Sequence, residues 1–189
     1  MTDDDRRITS GGGIVRGSRR TPSLSEHETA PELMRAFRRR WATGVAVMTL
    51  RDGDRLRGIT LTAIMPLSVE PPLLAVAITA GGEFAALATE GARCAVSILV
   101  RSQEFLSERF AGRAPVPDSA FSGIPHQLDE HGVPFLSEAT AVVTGVILSR
   151  RTHGDHDLLV IEVDDGRIAE DEDDPLLSYE GSYRSLEVE

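Results

Sequence analysis

Two stretches of this chain carry residues whose types and spacing suit chemistry. The first is the run from Arg57 to Pro72, RGITLTAIMPLSVEPP. Thr60 and Thr62 stand two apart in an alternating segment, so on a strand they share a face and can hydrogen-bond one polar ligand together. Pro66, Pro71 and Pro72 then interrupt the ladder, which frees backbone N–H groups around Ser68 for the same ligand. An ordinary strand and turn with surface threonines explains the same residues. The second stretch is HGDH, His153 to His156. Two imidazoles and a carboxylate within four residues can ligate a metal, with Asp157 or His131 completing the shell. They equally suit a polar turn, or an imidazole at a hairpin mouth that touches a cofactor or substrate.

Much other chemistry is excluded by composition. All 20 basic residues are arginines, so neither a lysine Schiff base nor a P-loop lysine is available. Cys94 is the single cysteine, which rules out an intrachain disulfide and a multi-cysteine zinc site. It lies in an apolar strand-like run, as a buried inert thiol would. No Gly-x-Ser-x-Gly and no Gly-x-Gly-x-x-Gly occurs, so neither a hydrolase elbow nor a Rossmann site is expected. The acidic run from Glu170 to Asp174 lacks the twelve-residue calcium loop and reads as a solvated turn. A formal net charge of −10 argues against broad nucleic-acid binding. No apolar run approaches the roughly 20 residues that span a bilayer, and no apolar signal core is present, so no membrane association and a cytoplasmic location are expected.

The elements that must position these residues follow from periodicity. A chain of 189 residues supports one well-buried core. Residues 1–31 are rich in Ser, Gly, Thr, Arg and Asp and read as a flexible N-terminal tail, leaving 32–189 as the domain. Leu33, Met34, Phe37 and Trp41 recur at helical spacing behind Pro31. Thr43 to Leu50 and the run from Arg57 form a hairpin about an Asp-Gly turn. Leu73 to Ile78 is a third strand, Glu83 to Glu90 a short helix ended by Gly91, and Arg93 to Val100 a fourth strand. A helix capped by Ser102 follows, with Phe105, Leu106 and Phe110 inward. Ala139 to Ser149 and His156 to Val163 are long strands about the HGDH turn, and Leu176 to Tyr183 is expected to close the sheet. Strands follow one another with helices inserted, so the expected class is mainly β: an antiparallel barrel with a few short helices.

Taken in order, these segments resemble the flavin reductase-like family with the FMN-binding split-barrel fold, which includes reductase components of two-component flavin-dependent monooxygenases. The matching pieces are Phe37 with Thr43 to Val45, Gly58 to Thr62, Leu67 to Pro72, and Ala95 to Leu99. Gln103, Leu106 to Ser107, Phe110 to Ala111, Gly132 to Leu136, Gly154 to His156, and Pro175 to Leu177 with Tyr183 complete the set. The resemblance implies a Greek-key split β-barrel and a homodimer that reduces FMN or FAD with NADH or NADPH, supplying reduced flavin to an oxygenase component. A flavin-binding protein of the same fold that is not a reductase (a carrier, sensor or partner subunit) is the alternative. It implies a cofactor site of Thr60, Leu61, Thr62, Met65, Pro66, Leu67, Ser68, Ser97, Phe110, Gly154, Asp155, His156 and Tyr183. His156 is the residue nearest the chemistry, and no metal is implied. Two departures stand out: Gly81 and Gly82 occupy places where the family has hydroxyl residues, and Pro66 replaces a serine.

Overall fold

The computed structural model describes residues 29–113, 121–170 and 174–186. The expected tail lies outside the described residues up to position 28, as do part of the long connection after Ala111 and the middle of the acidic run after Glu170.

Helix α1 (Ala30–Arg40) begins at Thr29, whose hydroxyl accepts the Glu32 N–H while the Glu32 carboxylate accepts the Thr29 N–H. That reciprocal cap satisfies two of the orphan donors at the helix start. The helix is fastened at its other end, where Glu180 N–H donates to the Arg39 carbonyl at 2.8 Å and the Glu180 carboxylate pairs with Arg40 at 2.9 Å. Its apolar residues do not enter the core. Leu33, Met34, Phe37 and Trp41 are all exposed, with Trp41 65% accessible.

The strands are β1 (Thr43–Gly44), β2 (Ala46–Asp52), β3 (Arg55–Leu61), β4 (Ile64–Ser68) and β5 (Leu73–Thr79). After helix α2 (Glu83–Leu87) come β6 (Arg93–Ile98), a 3-10 turn at Arg101–Gln103, and helix α3 (Glu104–Phe110). The rest are β7 (His126–Leu128), β8 (Pro134–Leu136), β9 (Ala141–His153), β10 (His156–Ile168), β11 (Leu177–Tyr179) and β12 (Ser182–Arg184). Seven form one antiparallel sheet in the order β3-β2-β6-β9-β10-β5-β4. Its two edge strands, β3 and β4, are joined by Thr62 and Ala63 alone. The chain that ends one edge therefore begins the other, and the sheet has to curl around a single interior.

That interior is filled from nearly every strand. Met48, Leu50, Leu61, Val76, Ile78, Cys94, Val96, Ile147, Leu159 and Ile161 form one buried cluster with Ala85 and Ala88 from and beside α2. Burying such side chains is worth roughly 1.5–3 kcal/mol each. Curling a long hairpin this tightly requires close backbone approach. A Cβ on Gly145 would stand 2.1 Å from the Glu162 carbonyl oxygen, so only glycine fits there.

The outer side of the sheet is unequal. Over β3, β2 and β6 a second apolar layer packs, built from Val45, Val47, Leu99, Leu106, Phe110, Phe121 and Leu136. Over β10, β5 and β4 no comparable layer exists among the described residues, and Met65, Leu158 and Leu67 remain exposed.

Four element-level expectations change. Helix α2 ends at Leu87 with Ala88 as its C-cap, and so stops short of Gly91. Arg101–Gln103 takes a 3-10 turn, with the Gln103 side-chain oxygen accepting the Val100 N–H at 3.1 Å, in place of a helix capped by Ser102. The phase set by that turn buries Leu106, Ser107 and Phe110 and leaves Phe105 exposed. Leu176 to Tyr183 does not join the main sheet, because its partner is β1 and not either edge strand of that sheet. It forms the β11–β12 hairpin, which pairs with β1 in a separate three-stranded sheet.

Candidate functional site

The residues nominated by sequence fall into two sets, separated by the half of the sheet's outer face they occupy. In antiparallel pairing, residues directly opposite point to the same side. His156 lies opposite Thr79, Leu158 opposite Ala77, and Val160 opposite Ala75. Met65 lies opposite Ala75, and Ser68 opposite Leu73. Residues 73, 75, 77 and 79 share one face of β5, so His156, Leu158, Met65 and Ser68 stand on one outward surface. Two inter-strand spacings, roughly 10 Å, separate β10 from β4 across it. Thr62 is exposed at the corner where β3 passes into β4. Leu67 is the extra residue of a bulge between Pro66 and Ser68, and Pro66 is exposed beside it. As an edge strand, β4 also turns half of its backbone polar groups away from β5 with no strand partner among the described residues. The open surface thus combines a flat apolar floor with a rim of hydroxyls, backbone groups and one imidazole.

The hairpin tip sets that imidazole. His153 and His156 close a two-residue turn, in which Gly154 takes φ +64°, a conformation that glycine adopts without strain. The His156 Nδ1–H donates to Asp155 Oδ1 at 2.8 Å, since a carboxylate can only accept. The Asp155 carboxyl is held below the usual range first by that hydrogen bond and then by the imidazole's charge. Nε2 makes no hydrogen bond among the described residues. The hairpin tip is itself anchored, because the Ala80 N–H donates to the Asp155 carbonyl at 3.0 Å.

The second set lies under the covered half. Thr60 shares a row with Val47 and Ser97. Its hydroxyl donates to the Ser107 carbonyl of α3 at 2.7 Å. Ser97 is fully buried and its hydroxyl accepts the Leu136 N–H at 3.2 Å. Phe110 is buried against Phe121, with ring centroids 5.1 Å apart. Gly58 belongs to this layer as well, since a Cβ there would meet the Phe110 ring at 2.7 Å. Tyr183, half-buried, donates to Glu108 Oε1 at 2.5 Å and meets the Ser107 hydroxyl at 2.8 Å. Burial, and then the bond to Glu108, push its phenol above its ordinary value, so it stays neutral. Leu61 points the other way, into the main core. The structure therefore gathers Thr62, Met65, Pro66, Leu67, Ser68, Gly154, Asp155 and His156 around the open face. It places Thr60, Leu61, Ser97, Phe110 and Tyr183 within packing layers.

Sequence reasoning missed Thr79, Ala77 and Leu158, which floor the open face between its two nominated edges. The signal was available in the alternation of β5 and β10, but their pairing register was not. The thiol of Cys94 is pushed up to about 12 by burial, which leaves it unreactive. No cluster of three or more His, Cys, Asp or Glu suited to a metal occurs among the described residues. No helix among them is long and apolar enough to cross a membrane.

Comparison with known proteins adds an independent line. Residues 38–187 match the family model described as flavin reductase like domain. An NADH-dependent flavin reductase of a Rhodococcus species is 32% identical over 164 residues, covering 85% of this chain and 89% of the relative. The reductase component of 4-hydroxyphenylacetate 3-monooxygenase from Thermus thermophilus is 35% identical over 147 residues, covering 78% and 91%. Among solved structures, the flavin reductase PheA2 superposes with a TM-score of 0.73 at 29% identity, covering 84% of this chain and 99% of that one. A Streptomyces globisporus NADH:FAD oxidoreductase in complex with NAD and FAD fragments gives 0.75 at 25% identity, covering 87% and 97%.

Proposed function

The chain belongs to the flavin reductase-like family, and from that premise we propose that it transfers hydride from a reduced nicotinamide, NADH as in the name of the Rhodococcus relative, to FMN or FAD. The observation that carries the reading to particular residues is the shared outward face of Met65, Ser68 and His156. Its chemistry suits the group. An apolar floor of Met65, Ala77 and Leu158 matches flat rings, and Thr62, Ser68 and the free polar edge of β4 match a polar rim.

A flavin bound there supplies the hydride acceptor, and the reaction is the cofactors' own chemistry. This chain's residues have a narrower task. Met65 and Leu67 exclude water from the ring face, Thr62 and Ser68 orient the polar edge, and His156 presents Nε2 with its tautomer set by Asp155. Holding two reactants in line contributes most of what a protein can add to such a step.

The finer architecture belongs to the same proposal. The curled sheet is a Greek-key split barrel, and two copies pair as a homodimer. The exposed apolar side of α1, with Leu33, Met34, Phe37 and Trp41, supports the pairing, since monomers rarely leave such a patch uncovered. Reduced flavin passes to a separate oxygenase component, as the names of the reductase-component relatives suggest.

The test is an absorbance assay with each flavin and each nicotinamide. Nicotinamide oxidation that depends on added flavin supports the reading. Tight stoichiometric flavin without nicotinamide oxidation would replace it with a carrier or sensor. Sedimentation of the protein at micromolar concentration tests the dimer separately.

A further inference from the structure

We propose that buried Asp157, with Arg150 and Thr152 bonded to it, is a positioning device that fixes His156 relative to β5 and α2; this rests on the flavin reductase reading. Strand alternation turns Asp157 inward directly after His156 points outward. A carboxylate on the interior face of a β-sheet is costly unless every lone pair is met. Asp157 is 0% exposed, and two donors reach it: Arg150 Nη2 at 2.7 Å on Oδ2 and Thr152 Oγ1 at 2.6 Å on Oδ1. The Thr152 hydrogen bond and then that of Arg150 hold its carboxyl below the usual range, so it remains charged.

The cluster does more than satisfy itself. The other terminal nitrogen of Arg150 donates to the carbonyl of Ala85 in α2, and its backbone N–H donates to Glu90 Oε1 at 3.1 Å. One guanidinium thus ties the β9–β10 hairpin to the helix that follows β5. His156 is bracketed. Asp155 before it is held through its carbonyl by Ala80 N–H, and Asp157 after it is held through its side chain. The imidazole keeps only its side-chain rotations, while its Cα–Cβ direction is fixed against Thr79. None of the three residues need touch a ligand, which makes them positioning residues and not catalytic ones. A misplacement of about 1 Å at a reacting site costs on the order of a hundredfold in rate.

The experiment compares D157N, T152V and T152S in the full chain, with rates expressed per folded molecule by circular dichroism. For D157N the rate constant of flavin reduction at saturating NADH is expected to fall about ten- to a hundredfold, with the KM for NADH changed less than about threefold. T152V, which keeps the ion pair, should lose severalfold, and T152S should restore the native rate by returning the hydroxyl. If D157N does not fold, T152V against T152S carries the test. The inference is overturned if D157N and T152V, folded, reduce flavin within about twofold of native, or if T152S is as impaired as T152V. A second readout does not require turnover. Ring resonances of His156 in histidine-labelled protein should shift or broaden in D157N and T152V and match native in T152S, and unchanged resonances would overturn the inference. Should the native protein oxidise no nicotinamide at all, the functional reading fails, and the resonances alone still decide the positioning.

Discussion

The two halves of the sheet's outer face start from similar sequence and end in different roles. Over β3, β2 and β6, α3 and the β7–β8 hairpin add a second apolar layer, and the polar groups there are spent inside the protein. Thr60 bonds the Ser107 carbonyl, Ser97 takes the Leu136 amide, and Tyr183 meets Glu108. Over β10, β5 and β4 no such layer exists among the described residues, and Thr62 and Met65 are exposed while Ser68 and His156 are partly so. Residue type is therefore a poor guide to role. Thr60 and Thr62 are identical side chains two residues apart, yet α3 covers one and the turn at Ala63 exposes the other.

Substitutions can break this contrast. The largest effect is expected from Phe110→Ala in the covered half, which should cost about 3–5 kcal/mol of unfolding free energy, because the ring fills space against Gly58 and Phe121. Chemical denaturation measures it; a loss below about 1 kcal/mol with a large loss of flavin affinity would return Phe110 to the site. In the open half the signature reverses. His156→Gln should lower the rate of flavin reduction about ten- to a hundredfold while changing stability by no more than about 0.5 kcal/mol.

Smaller effects sharpen the comparison. Thr60→Val should destabilise by about 1 kcal/mol, since it removes one of the two hydrogen bonds that the Ser107 carbonyl accepts, the Ala111 N–H keeping the other, and flavin affinity should change little. Equal loss of affinity and stability would mean that Thr60 faces both ways. The smallest effect concerns acid. Arg93, through its hydrogen bond first and its charge second, holds the Asp164 carboxyl below the usual range. A depressed carboxyl contributes stability above its unfolded value of about 3.9 and loses it as pH falls from there toward the folded value. Asp164→Asn should therefore flatten the fall in melting temperature between about pH 5 and about pH 3, by a share under about 1 kcal/mol for so exposed a pair. An unchanged acid limb would show that the pair contributes nothing.

Much of the architecture was legible because it rests on local rules. The Asp-Gly turn, the strands β2, β5 and β6 and the HGDH hairpin all reappear where turn chemistry and strand-forming runs put them. What was not legible depended on distant partners. That Leu33, Met34, Phe37 and Trp41 form a helix follows from spacing, but that the helix leaves them uncovered depends on where it docks. Ser102 lost its capping role because Gln103 closes a 3-10 turn with its own side chain. The proposed site was half legible for the same reason. Its two edges, at Met65 to Ser68 and at His156, carry recognisable motifs, whereas its floor at Ala77, Thr79 and Leu158 emerges only from the β5–β10 register. Asp157 read as a possible metal ligand beside His156, whereas its burial and its bonds to Arg150 and Thr152 occupy it within the protein.

The central claim is that the open face brings nicotinamide and flavin together. Its most direct test is anaerobic mixing of the protein with FMN or FAD and NADH while flavin absorbance is followed. The account predicts bleaching of flavin far faster than in the protein's absence, at a rate lowered by His156→Gln and insensitive to Thr60→Val once corrected for folded protein. Bleaching no faster than the protein-free control, with either flavin and either nicotinamide, would contradict it.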